Sequence, residues 1–451
     1  MRLTASSLKQ WSEHSANRSI FSASLTIASL TVLVKVVSMV KDLSVARAFG
    51  ISSQLDAYLV ALIIPTFAIN VLAGAFQSSL IPTYIEVLER QGLDAAHALF
   101  ATVVSRALLL LGGCTLGLTV LGPLLLHVLA SGFDETTRAL CLSQFTILLL
   151  AVPINGLSVI WGAVLNTDGK FALAAVAPIA VPLAMLVFLL VAAAHWGSYA
   201  LMAGLLSGLI MQAGLLALSL RRRGFALVPR WRDAHPATRQ VMHQYLPMVA
   251  GAALMSSTEL VDRTMATPLG AGSVSALNYG IKLTALIIGT GSLALGTTVL
   301  PYFSRMTAQQ DWRAIRHTLK IYSRLVLAGS LLVTAVVVLL SVPLVQLLFQ
   351  RGAFTESDTR LVSQIQAFYV LQVPFYFLST LKVRLISSLK ANRLLLIISA
   401  INFCINVALN YIFIQWLSVA GIALSTAVVY AISYVLLTVV LRARLNELDA
   451  A

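Results

Sequence analysis

FSASLTIASLTVLVKVVSMVK, residues 21–41, decides the class of this chain. The apolar run from Phe21 to Val40 is long enough to cross a bilayer at about 1.5 Å per residue. It nevertheless holds Lys35, and Lys41 closes it. A cation in such a helix is costly, by about 3 kcal/mol or more, unless it faces a wet cavity or a partner. One reading is that both amines snorkel, since Lys41 stands at the helix end and Lys35 only about 9 Å deeper. The other is that they line a chamber that grips an anion. The residues alone leave both open.

Working outward, composition agrees with the opening segment. Hydrophobic residues make up 59% of the 451 and charged residues 11%, against about 25% charged in a soluble domain. Mean hydropathy is +0.89, so the class is an all-α polytopic membrane protein. Met1 to Ser19 is polar and carries Arg2, Lys9 and Arg18. The apolar run after it is too long for a signal-peptide core, so no removal is expected. Cys114, Cys141 and Cys404 lie far apart in apolar runs and read as buried thiols, with no disulfide or metal framework.

Hydropathy predicts twelve spans, near 21–40, 57–80, 100–130, 139–163, 172–194, 198–220, 241–265, 276–300, 321–349, 361–388, 394–416 and 420–441. The longest basic linker follows the sixth. It holds Arg221, Arg222, Arg223, Arg230, Arg232 and Arg239 against Asp233. This divides the chain into an N-terminal lobe (1–220), a cytoplasmic linker (221–240) and a C-terminal lobe (241–451). Two six-helix lobes around a central cavity are the expected architecture, as in internally repeated transporters. Even-numbered loops collect cations: the basic linker, then Arg305, Arg313, Arg316 and Lys320, then Lys382, Arg384, Lys390 and Arg393. Loops around Gly270 and Trp416 have none. Positive-inside bias therefore puts both termini in the cytoplasm, and the net charge of +14 is mostly topological. Anionic lipid is a fitting neighbour; nucleic acid is not an expected partner.

Enzymatic motifs are missing. No P-loop occurs, the seven histidines show no metal spacing, and no nucleophile elbow or paired carboxylates stand out. Gly289, Gly291 and Gly296 fit close helix packing. No cofactor is expected, and transport is the class that remains. Among intramembrane ionisable groups, Glu259 and Arg263 are four apart and can pair on one helix face. Asp262 points about 100° away and is freer to serve a cavity. Lys282 sits in the eighth span. Asn402, Asn406 and Asn410 form an i, i+4, i+8 stripe, either interhelical glue or oxygen ligands for a small cation.

The stretches KVVSMVKDLSVARAFGISSQLDAYLVALIIP (35–65), GAFQSSLIP (74–82), GAVLNTDGKF (162–171), GSVSALNYGIKL (272–283), ALGTTVLPYFSR (294–305) and LLFQRGAFTESDT (347–359) resemble, in order, the MurJ (MviN) lipid II flippases. That family belongs to the multidrug/oligosaccharidyl-lipid/polysaccharide exporter superfamily. The resemblance implies a bacterial inner-membrane flippase. It would carry an undecaprenyl-pyrophosphate-linked saccharide to the outer leaflet by alternating access, alongside polysaccharide or cell-wall synthesis enzymes. It also implies substrate-binding roles for Lys35, Lys41, Asp56 and Lys282. A cation-coupling site would use Asp262, Asn406, Asn410 and Thr426, driven by Na+, H+ or the membrane potential.

Departures from the family pattern are specific. All three cavity cations are lysine, giving point charges where arginine would give bidentate forks. The second-helix arginine has Ile69 or Asn70 in its place, and Asn410 replaces a carboxylate. Twelve spans are predicted where the family usually has fourteen. Exopolysaccharide or O-antigen units are thus an alternative cargo. A cation-coupled drug antiporter would place acids where these lysines stand.

Overall fold

Gly50 ends the first helix, Ser15–Phe49 (α1), with a φ of +53°. A Cβ there would stand 2.3 Å from the carbonyl oxygen of Ala353, so only glycine allows both the turn and the approach. The computed structural model describes residues 15–167, 171–227, 235–389 and 391–450. Arg2, Lys9, Arg230, Arg232, Asp233 and Lys390 lie outside the described residues, as do the side chains of Arg18 and Arg305.

Every regular element among the described residues is helical. After α1 come α2 (Ser53–Gln91), α3 (Leu93–Leu129), α4 (Glu135–Leu148), α5 (Ala151–Thr167), α6 (Phe171–Trp196) and α7 (Tyr199–Arg221). Beyond the linker lie α8 (Thr238–Ala266), α9 (Ser273–Ala308), α10 (Trp312–Leu339), α11 (Ser341–Phe349), α12 (Glu356–Ser388), α13 (Asn392–Leu417) and α14 (Val419–Ala450). Eight helices among the described residues are long and apolar enough to cross a membrane. A ninth span arises if α4 and α5, bent by 42°, are one. The predicted twelve exceeds that number. That count is of the described residues alone; α1, α8 and α9, which carry Lys35 and Lys41, Asp262, and Lys282, are not among the eight. On α10, Leu325, Leu332 and Leu339 are 67%, 67% and 80% exposed. Seven-residue spacing puts them on one face, which suits acyl chains.

The chain forms two compact units. The first comprises Met1–Val45, Ile64–Pro123 and Leu142–Ala252. Its core is built on Phe76, Tyr84, Phe100 and Val164, with the Phe76 and Tyr245 rings 4.1 Å apart. Within it, Gly204 and Gly208 let α7 approach the backbone of Met185 and Val181 on α6, where a Cβ would come within 2.6 and 2.5 Å. This small-residue spacing is what close packing in lipid requires. A π turn, Ile69–Ala73, interrupts α2 after Pro65; of the two residues at the family's arginine position, Ile69 is buried and Asn70 exposed.

The second unit comprises Ala46–Ile63, Leu124–Cys141 and Ala253–Ala451. Asp134 caps α4 by accepting from the Thr136 hydroxyl and, at 3.3 Å, from the Thr137 amide. These donors, Thr136 foremost, hold its carboxyl down at about 2. Gly291 lies against the Phe377 ring, as helix packing predicts. Lys382 and Arg384 differ from expectation. Both were counted as loop cations, yet both are inside α12, and Lys382 is only 4% exposed. The thiols also differ among themselves: Cys141 is buried, Cys114 half-buried and Cys404 exposed.

Candidate functional site

Asp56 stands in the first turn of α2 and is fully buried. Its Oδ2 accepts from the Gly272 amide and its Oδ1 from the Ser275 amide, both at 2.7 Å. Those amides open α9, where the first four N–H groups have no partner within the helix. Gly272 has a φ of +89°, and a Cβ there would meet Ile51 Cγ2 at 2.1 Å; glycine is what lets the two segments close up. Asp56 was expected to touch substrate. Here both its oxygens serve as a helix cap from more than 200 residues away. Half-buried Lys282 sits about two and a half turns further along that helix.

The predicted coupling residues converge. Asn410 Nδ2 on α13 donates to Asp262 Oδ1 on α8 at 2.7 Å and reaches Asn406 Oδ1 at 3.4 Å. Thr426 on α14 donates to Asp262 Oδ2 at 3.4 Å. Asn402 Nδ2 donates to the Ser433 hydroxyl at 2.9 Å. The amide stripe is therefore glue between α13 and its neighbours. It also leaves Asn402 Oδ1, Asn410 Oδ1 and Asn406 Nδ2 buried without partners. Amide oxygens left over in this way, beside a carboxylate, are suitable ligands for a hard monovalent cation. To offer its oxygen there, the Asn410 amide must turn over. No group of three or more His, Cys, Asp or Glu side chains suited to a transition metal occurs among the described residues.

Asp262, Asn402, Asn406 and Thr426 line a cavity of about 650 Å³ within the second unit, shared with Glu259, Arg263 and Arg384. Glu259 and Arg263 form the expected pair at 2.6 Å. Sequence reading missed the aromatic wall: Tyr369, Tyr376 and Tyr430 also line the cavity. The Tyr376 and Tyr430 rings lie 5.4 Å apart. Nothing in the local sequence distinguishes these tyrosines from core residues.

In the first unit, Lys35 is half-buried and has no ion pair among the described residues. Lys41 pairs with its neighbour Asp42, a partner the sequence reading overlooked.

Residues 45–451 match the family model described as lipid II flippase MurJ. Asp56, Asp262 and Lys282 fall inside the match, while Lys35 and Lys41 precede it. Similar curated proteins include the probable lipid II flippase MurJ of Synechocystis sp., 25% identical over 96% of this chain and 84% of that protein. The lipid II flippase MurJ of Burkholderia cenocepacia is 26% identical over 94% and 84%. Among solved structures, a lipid II flippase MurJ in an inward closed conformation superposes with a TM-score of 0.81 at 21% identity, covering 93% of this chain and 87% of that one. An inward-facing multidrug resistance MATE family transporter of the MOP superfamily superposes at 0.73 and 13% identity, over 95% and 99%. The chain is an all-α membrane protein and belongs to the MurJ family.

Proposed function

We propose that this protein flips an undecaprenyl-pyrophosphate-linked saccharide, lipid II or a related peptidoglycan precursor, from the inner to the outer leaflet of a bacterial cytoplasmic membrane. Both termini would face the cytoplasm. The observation that carries the reading is the family match across residues 45–451.

A diphosphate must not enter hydrocarbon bare. Lys35, Lys41 and Lys282 are the cations we assign to its neutralisation, in a setting whose low dielectric strengthens each charge. Asp42 keeps Lys41 paired until cargo arrives. Asp56 fixes the start of the helix that presents Lys282. For the driving force, Asp262 with Asn406, Asn410 and Thr426 would hold Na+, or Asp262 alone a proton. Binding there would tie α8 to α13 and α14, and its release would free them. A bundle that rocks as the ion leaves then alternates the face open to cargo.

The test is complementation of cells depleted of their own lipid II flippase. Growth is expected with the native chain and not with Lys282→Ala, at equal membrane levels. Failure of the native chain to rescue, with export of a lipid-linked exopolysaccharide or O-antigen unit in its place, would move the assignment to that cargo.

A further inference from the structure

The second unit holds another cavity, of about 610 Å³, between α10, α12 and α14. Five cations line it, namely Arg316, Lys320, Arg324, Lys382 and Arg442, and no carboxylate among the described residues does. The first three stand at i, i+4 and i+8 on α10, so like charges are stacked on one helix face, an arrangement that is unfavourable by itself. Positive-inside topology asks only for cations near the cytoplasmic end. It does not ask that they share a face or surround a hollow.

Lys382 sharpens the point. Its ammonium is almost wholly buried, 3.3 Å from the centroid of the Tyr434 ring, and it donates to the Thr438 hydroxyl. An aromatic face and a hydroxyl orient a cation without neutralising it. Arg316 is pinned by Leu445 O at 3.2 Å and Asn446 Oδ1 at 3.1 Å, which joins α10 to α14. The frame is thus built, and Lys320, Arg324, Lys382 and Arg442 face it with no carboxylate among the described lining residues. Its depth is also defined. Arg316 and Lys320 precede the apolar run that starts near 321, Arg324 lies about one turn inside it, and Arg442 follows the run that ends near 441. That is headgroup level. Leu319, Leu327 and Leu441 offer apolar surface beside the charges.

We infer that this cavity binds a phosphate group, carried by an anionic membrane lipid or free in the cytoplasm. Basic pockets between membrane helices on the cytoplasmic side take lipid headgroups in this way, and guanidinium groups fit phosphate oxygens in pairs. The inference goes beyond the transport reading and does not depend on the cargo.

The test is native mass spectrometry of the purified full chain with phosphatidylglycerol or phosphatidylcholine, and calorimetric titration of the same protein with sodium phosphate. Retention of phosphatidylglycerol is expected to fall about tenfold or more in the Arg324→Ala/Arg442→Ala double variant. It should stay level in Arg351→Ala, which removes an exposed arginine outside the cavity. Lys382→Met gives a second reading should the double variant not fold. Phosphate that displaces phosphatidylglycerol supports the lipid source, and phosphate that binds where phosphatidylglycerol is not retained supports the soluble one. Equal retention of phosphatidylglycerol by native and variant chains, with no phosphate heat, overturns the site.

Discussion

The two cavities of the second unit are nearly equal in size, about 650 and 610 Å³, and both are walled by α12 and α14. They differ in how their charge is closed. Around Asp262 both acids have partners in place: Asn410 and Thr426 for the aspartate, Arg263 for Glu259. Around Lys382 five cations line a hollow that no acid among the described residues enters. A site with its own acid can wait for a cation, whereas a site with only cations calls for an anion from outside.

Removing the acid should have the largest effect. In Asp262→Ala, the Asn410 amide and Thr426 hydroxyl lose their acceptor in a buried place, which costs about 1–3 kcal/mol for each group left unsatisfied. Thermal unfolding in detergent should show a clear drop, and transport should stop. Asp262→Asn keeps the shape and some of the bonds while removing the charge. It should recover most of the stability and none of the coupling. Transport at the native rate in Asp262→Asn would break the assignment of ion coupling to this cavity.

The basic cavity predicts a different sign. Lys382→Met exchanges a buried ammonium for an apolar chain of similar length, and such replacements are often neutral or stabilising. In detergent without anionic lipid, unfolding should stay within about 1 kcal/mol of native or move upward. Added phosphatidylglycerol should then raise the native midpoint more than the variant's. A large destabilisation in lipid-free detergent would mean that the Tyr434 and Thr438 contacts alone satisfy this lysine, and the contrast between the cavities would weaken.

The first cavity was legible in the sequence and the second was not, for a physical reason. Asn402, Asn406 and Asn410 advertise themselves by one-turn spacing in an apolar helix, and Asp262 by sitting in a span. The positions came from the family resemblance, while the spacing said why they could meet. Lys382 and Arg384 lie near a helix end in the sequence and were read as loop charges. Both fall inside the span expected at 361–388, and the packing of α12 is what buries Lys382. Arg316, Lys320 and Arg324 show the same blind spot. Arg316 and Lys320 were read as loop cations and Arg324 was not singled out, and nothing in the chain's periodicity shows that α12 and α14 leave a hollow opposite them. Asp56 carried another lesson. The family resemblance implied a substrate-binding role, and the sequence offered no sign that two amides near Gly272 would bond to it.

The smallest expected effect tests whether the rim of the first cavity matters to its closed charge. Glu259 and Arg263 are paired at 2.6 Å, but their side chains are 62% and 26% exposed. A single-turn ion pair with that much access to water contributes about 0.3–0.5 kcal/mol. Glu259→Gln should therefore shift the unfolding midpoint by a degree or so at most, and added salt should erase the difference. Coupling should persist, because Asp262 keeps Asn410 and Thr426. A loss of ion dependence in Glu259→Gln comparable to that in Asp262→Asn would mean that the cavity holds its ion with two acids. Its charge would then be set at the rim as much as at the floor.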